Sequence, residues 1–295
     1  MSSSNRIPRV LVLLATYNGE EFIDLQLKSI FEQNDVKVSI LISDDCSSDG
    51  TLNIVSDYIK NNFSIKVLSF NKKFGSAASN FFYLVANSVC DDFDFIAFSD
   101  QDDFWFEKKI INAIDKINEK KVHGFSSDVI AYWPEDNTEK LIKKSYPQTS
   151  LDYFFESPGP GCSQVFTKES FLEFQKFVVA NYTKIEDVDY HDWLIYAFYR
   201  HNMLDWHISD KPDMRYIQHA GNQIGANKGI TAFISRIKMI CSGWYPEQVE
   251  LIYKIITNDD KKLLSNSFLF FNMFKIRRNL FQSIVAVFFL IIGRK

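Results

Sequence analysis

Arg9-Val10-Leu11-Val12-Leu13-Leu14-Ala15 is a short apolar run closed by Thr16-Tyr17-Asn18-Gly19. Ile23, Leu27, Ile30 and Phe31 then recur at helical spacing, so the segment reads as strand, loop and helix. The unit repeats. Val38 to Ile42 is a second run, closed by Ser43-Asp44-Asp45-Cys46-Ser47-Ser48-Asp49-Gly50-Thr51, with Leu52, Val55 and Ile59 on one helical face after it. Ile65 to Phe70 reads as a third strand and Asn71 to Gly75 as its loop. A helix to about Val89 and a fourth strand, Phe93 to Phe98, follow. Strands alternating with helices predict right-handed crossovers and an α/β fold, a mostly parallel sheet flanked by helices. Ligands of such sheets bind outside the carboxyl ends of the strands, where every one of these polar clusters falls. The loops are therefore expected to converge on one site.

The fourth strand empties into Phe98-Ser99-Asp100-Gln101-Asp102-Asp103-Phe104-Trp105, which packs three carboxylates into four residues. Like charges this close repel unless a cation sits between them, and magnesium or manganese, which prefer oxygen ligands, would suit. The alternative is a solvated acidic turn capping a helix that begins near Phe104.

Composition narrows the classes. The chain has 295 residues, 46% of them hydrophobic and 16% aromatic, enough for a large core. No Pro- or Gly-rich linker interrupts residues 9 to 228, and a single catalytic domain is the simpler reading. Cys46, Cys90, Cys162 and Cys241 are too scattered for a zinc site or disulfide framework. The polar segment 1–9 and the short run behind it do not make a signal peptide, so a cytoplasmic protein is expected. A net charge of −4 argues against nucleic-acid binding. No G-x-G-x-x-G follows the first strand, which argues against a dinucleotide oxidoreductase.

Taken in order, Ala15-Thr16-Tyr17-Asn18, Asp44-Asp45 with Ser48-Asp49-Gly50-Thr51, Asn71 to Gly75, and Ser99-Asp100-Gln101-Asp102-Asp103 closely resemble the family 2 glycosyltransferases of GT-A fold. Downstream, His191-Asp192-Trp193 and Gln218-His219-Ala220-Gly221-Asn222-Gln223-Ile224-Gly225 are similar to motifs of its rhamnosyltransferase-like branch. The likeness spans residues 9 to 228. An Arg that often precedes the Gln-His pair is missing, and Arg215 stands three positions before Gln218.

The resemblance implies a division of labour. Asp102 would hold a Mg2+ or Mn2+ ion that stabilises the leaving nucleoside diphosphate, and Asp100 would reach the ribose or a metal-bound water. His219 would complete the metal shell or be an unligated loop histidine. Asp103 is read as an orienting group or, by preference, the cap of the next helix. Thr16, Tyr17 and Asn18 would border the nucleobase with Asp44 or Asp45 reading it, although Asp-rich turns also simply cap helices. Asn71 and Gly75 belong to the same nucleotide-sugar pocket, and Ser48 to Thr51 reads as a structural turn. Asp192, heading an aromatic helical segment, is the candidate general base, or else only a cap. Gly161, in the turn Gly159-Pro160-Gly161, with His191 and Trp193 would line the acceptor side, Trp193 as an apolar platform. One base without an enzyme nucleophile implies a single inverting displacement.

The expected enzyme is a metal-dependent inverting glycosyltransferase. Its donor would be dTDP-rhamnose or a UDP-hexose, and its acceptor a lipid-linked or soluble glycan of bacterial surface polysaccharide. A nucleotidyltransferase on a similar sheet and a non-catalytic nucleotide-sugar-binding module are the alternatives. Beyond an expected catalytic domain, residues 1–228, residues 229–295 are expected to form a helical C-terminal region. No acidic residue follows Asp260, while Lys275, Arg277, Arg278, Arg294 and Lys295 lie among Phe268 to Phe271, Phe274 and the run Ile284 to Ile292. Such a tail suits an anionic membrane surface at the inner face of the cell membrane, or a helix packed on the domain. The run 284–292 is too short to span a bilayer.

Overall fold

The computed structural model describes residues 6–69, 72–219, 242–260 and 263–292. Asn71, and the part of the downstream motif from 220 to 225, lie outside the described residues.

The expected strand–helix units form. In order they are β1 (Arg9–Thr16), α1 (Ile23–Phe31), β2 (Lys37–Asp44), α2 (Thr51–Lys60), β3 (Ile65–Leu68), α3 (Ala77–Asn87) and β4 (Phe95–Ser99). Alternation explains why β1 lies central. Val10, Val12 and Leu14 point into one core with Ile23, Leu27 and Ile30 of α1. Leu11, Leu13 and Ala15 point into another with Phe81, Phe98 and Phe166. Successive side chains of a strand face opposite ways, so a strand apolar on both faces must be covered on both.

The main sheet has seven strands, ordered β3-β2-β1-β4-β9-β6-β10, where β6 is Gly124–Ser127, β9 is Val165–Thr167 and β10 is Trp206–Ser209. Pairing is parallel except at β9, which runs antiparallel to both β4 and β6. Register brings Thr16 beside Asp44 and Leu14 beside Ser99, so the loops after β1, β2 and β4 open on one edge. A second sheet, β5-β11-β7-β8, is built from Asp103–Trp105, Met214–Ile217, Val129–Trp133 and Thr138–Ile142.

This second sheet corrects the expected helix start near Phe104. Asp103–Trp105 pairs antiparallel with β11, and the next helix, α4 (Lys109–Lys120), has Lys108 at its cap. Asp103 is therefore a buried strand residue and not a helix cap. Helices α5 (Lys168–Ala180) and α6 (His191–His201) then pack under the sheet.

The C-terminal helices α7 (Trp244–Thr257), α8 (Asn266–Asn272) and α9 (Leu280–Ile292) share their inner faces with this core. Val249, Ile252, Leu264, Leu269, Ile276 and Leu290 are buried in one cluster with Trp193 to Tyr199. Arg278 reaches Asp152 at 2.9 Å, its side chain 1% and that of Asp152 0% exposed. The outer face remains open, with Phe270, Phe271, Phe274, Phe281 and Phe288 more than half exposed. Among the described residues no helix is long and apolar enough to cross a membrane.

Candidate active site

Three loops are stitched together by side chains bonding to backbone. Asn18, in left-handed conformation at φ 44°, accepts from Ser48 N at 2.8 Å, and its own N–H donates to Ser47 Oγ. Gly19 N donates to Thr51 Oγ1 and Gly50 N to Glu20 Oε2. Gln101 clasps Tyr17 from both sides, its Oε1 accepting from Tyr17 N and its Nε2 donating to Tyr17 O, each at 2.8 Å. Asp44 accepts from Thr16 Oγ1 at 2.7 Å and from both Ser47 N and Ser47 Oγ. The buried Asp45 holds the third loop, accepting from Phe74 N and from Gly75 N at 2.9 Å. Both carboxylates are thus first of all fasteners.

Tyr17 is 42% exposed at the rim of this cradle. Lys73 donates to its hydroxyl at 2.7 Å and sits 4.2 Å from its ring centre, a bond that raises the Lys73 pKa. Thr16, Tyr17, Asn18, Asp44, Asp45 and Gly75 are therefore brought together. Lys73 and Gln101 join them, although sequence reasoning gave neither a role.

At the end of β4 the acidic cluster divides. Asp102 Oδ2 lies 2.8 Å from His219 Nε2, whose ring stacks on Phe22 at 4.3 Å. These residues are 117 apart in sequence, so the pairing of the two proposed ligands is a product of the fold. Burial, then the charge of Asp102, pushes Asp100 up to about 7. Asp103 is raised well above the usual carboxylate range by burial and then by both neighbours, and neither of its carboxylate oxygens has a hydrogen-bond partner. Cys162 Sγ and oxygens of Asp100 and Asp103 lie within 4.8 Å of one another, but burial pushes the Cys162 thiol up, leaving it neutral. Lys109, buried beneath with its Nζ 3.8 Å from the Trp105 ring centre, is lowered to about 8 by burial and leaves its ammonium unbonded. Asp102 and His219 offer a carboxylate and an imidazole 2.8 Å apart, a donor pair that suits a divalent cation. Asp100 lies close to Asp103 and Cys162 on the other side of the cluster, and a nearby cation would favour its ionised form.

Asp192 occupies the first turn of α6. Burial pushes its carboxyl up to about 6, against the lowering effects of the Lys144 ammonium and a Ser157 hydrogen bond, and its charge reaches Asp100. A carboxyl poised near neutrality suits a general base. Gly161 is required behind it. A Cβ there would stand 2.3 Å from His191 Nε2, and the His191 ring already stacks on Phe81 at 3.8 Å. Burial lowers His191 to about 3, so it is a neutral packing group that seats the start of α6.

The platform expected of Trp193 is not available. Trp193 is 3% exposed, donates its indole N–H to Tyr153 O at 2.9 Å and stacks on Tyr245, because a helix interior position turns it into the core. Arg215 pairs with Glu139 on the second sheet at 2.8 Å.

The family model described as glycosyl transferase family 2 matches residues 11–213. The dTDP-rhamnosyl transferase RfbG of Shigella flexneri is 41% identical over 288 residues, 95% of this chain and 99% of that protein. The UDP-Glc:alpha-D-GlcNAc-diphosphoundecaprenol beta-1,3-glucosyltransferase WfaP of Escherichia coli is 27% identical, covering 74% of this chain and 80% of its own. Among solved structures, S. aureus TarS 1-349 with UDP superposes with a TM-score of 0.58 at 17% identity, over 97% of this chain and 80% of that one. The mannosyltransferase PcManGT of Pyrobaculum calidifontis, with GDP-Man and Mn2+, gives 0.58 at 16% identity, over 98% and 74%.

Proposed function

Because the chain belongs to glycosyl transferase family 2, we propose that it transfers rhamnose from dTDP-rhamnose, with inversion, to a glycan hydroxyl during bacterial surface polysaccharide synthesis. The near full-length identity to RfbG supports the donor over a UDP-hexose. The observation that carries the chemistry is Asp192, raised to about 6 and within electrostatic reach of Asp100. It supports a reading in which one proton acceptor stands beside a cluster that, with a cation bound, would suit a nucleoside diphosphate.

The acceptor hydroxyl attacks the anomeric carbon, the bond from that carbon to the diphosphate oxygen breaks, and Asp192 takes the hydroxyl proton. Lys144 and Ser157 keep Asp192 from rising further, so a useful fraction stays ionised near neutrality. The cradle of Thr16, Tyr17, Asn18, Asp44 and Asp45 holds the nucleoside, with Lys73 at its phosphate-facing rim. A Mg2+ or Mn2+ held by Asp102 and His219 would offset charge on the departing diphosphate. The relative WfaP is named for an acceptor on diphosphoundecaprenol. A lipid diphosphate carrier at the inner face of the cell membrane is the corresponding acceptor here. The exposed phenylalanines of α8 and α9 would rest on that surface. Product analysis with dTDP-rhamnose, UDP-glucose and UDP-N-acetylglucosamine tests this reading. Transfer chiefly from dTDP-rhamnose is expected. Nucleotidyl transfer, or binding without turnover, would overturn it.

A further inference from the structure

A cavity of about 140 Å3 opens between the segment 142–146 and the start of α9 with the residues just before it, far more than the roughly 10–15 Å3 a single water requires. Four cations line it, Lys143, Lys144, Arg277 and Arg278, against one carboxylate, Glu156. That carboxylate is already committed. It accepts from the Arg278 backbone N–H at 2.6 Å and lies 3.4 Å from the Arg278 guanidinium, which also pairs with Asp152. Among the described residues neither Lys143, Lys144 nor Arg277 forms an ion pair. Arg277 donates only to the neutral Tyr245 hydroxyl, and its buried Nε has no partner. Four cations facing one carboxylate leave the cavity with a net positive charge, and an anion with several oxygens is the ligand that would hold them.

The position says which anion. Lys144 acts electrostatically on Asp192. Arg278 Nη2 donates to Ser157 O at 2.6 Å, and a Cβ at Gly159 would meet Lys144 Cγ at 3.9 Å, so the cavity adjoins the turn 157–161, whose Gly161 lies against His191 beside the base. The backbone N–H groups of Lys144 and Ser145 are fixed on Asp128 Oδ1 at 2.6 and 2.9 Å, which makes the rim rigid. On the opposite wall, Gln282 belongs to α9 and sits between the exposed Phe281 and Ile284. We propose that this cavity is the subsite for the diphosphate of a lipid-linked acceptor, gripped by Lys143, Lys144 and Arg277, with the glycan directed to Asp192 and the lipid leaving along α9. The inference rests on the transfer reaction proposed above for the identity of the acceptor.

Calorimetry with farnesyl diphosphate, in the presence of chelator, tests it on the full chain. Wild type and Asp102→Asn are expected to bind alike. Lys143→Gln and Lys144→Gln are each expected to weaken binding about tenfold or more, the factor lost with a charge-assisted contact. Lys143 is exposed, so its variant is not at risk of misfolding. Inorganic diphosphate should compete and farnesol should bind no differently to wild type and variants. Loss in Asp102→Asn with the lysine variants unaffected would place the ligand in the donor site and overturn the proposal. Lysine variants that lose binding to phosphatidylglycerol vesicles but keep farnesyl diphosphate would make the cavity a headgroup contact, also against it. If wild type binds as described yet transfers sugar to no acceptor, the subsite stands and the functional reading falls.

Discussion

Replacing Arg278 with Met asks whether the C-terminal helices are structure or appendage. The Arg278 and Asp152 side chains are 1% and 0% exposed and meet at 2.9 Å. Removing one member of a buried pair leaves the other charge uncompensated, at a cost of about 3–5 kcal/mol. Arg200 still reaches Asp152 at 3.2 Å, so the lower end, about 3 kcal/mol, is expected. For a chain of this size that lowers the melting temperature by roughly 6–12 °C. Pairing the change with Asp152→Asn should recover part of the loss, since the stranded carboxylate is then gone. Thermal and urea unfolding of wild type, both single variants and the double variant measure it. A loss under about 1 kcal/mol, or no coupling between the two positions, would refute a tail anchored in the core. By the same reasoning, truncation before Leu263 strips Leu264, Leu269, Ile276 and Leu290 from the core and is expected to unfold or aggregate the protein.

Three further outcomes bear on the site. Asp102→Asn should remove cation-dependent transfer with the fold retained, and activity persisting in wild type under excess chelator would contradict the metal assignment. Asp192 must be ionised to act, and burial holds it near 6, so kcat/KM should fall about tenfold per pH unit below that value and level off above it. A profile flat down to pH 5 would exclude it as the base. Lys73→Ala, at an exposed position touching only Tyr17 in the cradle, should raise the donor KM several-fold with kcat little changed, as read by initial-rate kinetics.

Much of the fold was legible because its determinants are local and periodic. Leu11, Leu13 and Ala15 alternating with Val10, Val12 and Leu14 mark a doubly covered strand, and polar loops follow each strand end. The short strand Asp103–Trp105 was not legible. Its pairing with Met214–Ile217 is a contact across more than a hundred residues, and three residues carry no period. The proposed ligand pair Asp102 and His219 could be put forward from motif order, but only the fold brings them to 2.8 Å. Trp193 misled because an aromatic beside a candidate catalytic carboxylate has the same sequence whether it faces ligand or core. The cation cavity went unread for the opposite reason. Lys144 and Arg277 stand in unremarkable surroundings 133 positions apart, and only the fold of the tail assembles them. A usable cue did exist in Asp152, an acid among Leu151, Tyr153, Phe154 and Phe155, since a buried carboxylate requires a cation from elsewhere.

A single displacement in which Asp192 takes the acceptor proton inverts the anomeric carbon. The anomeric configuration of the newly formed linkage, assigned by NMR on product from dTDP-rhamnose, tests it most directly. Configuration opposite to that of the donor, formed by wild type and lost in Asp192→Asn, is the expected result. Retained configuration, or transfer undiminished in Asp192→Asn, would contradict it.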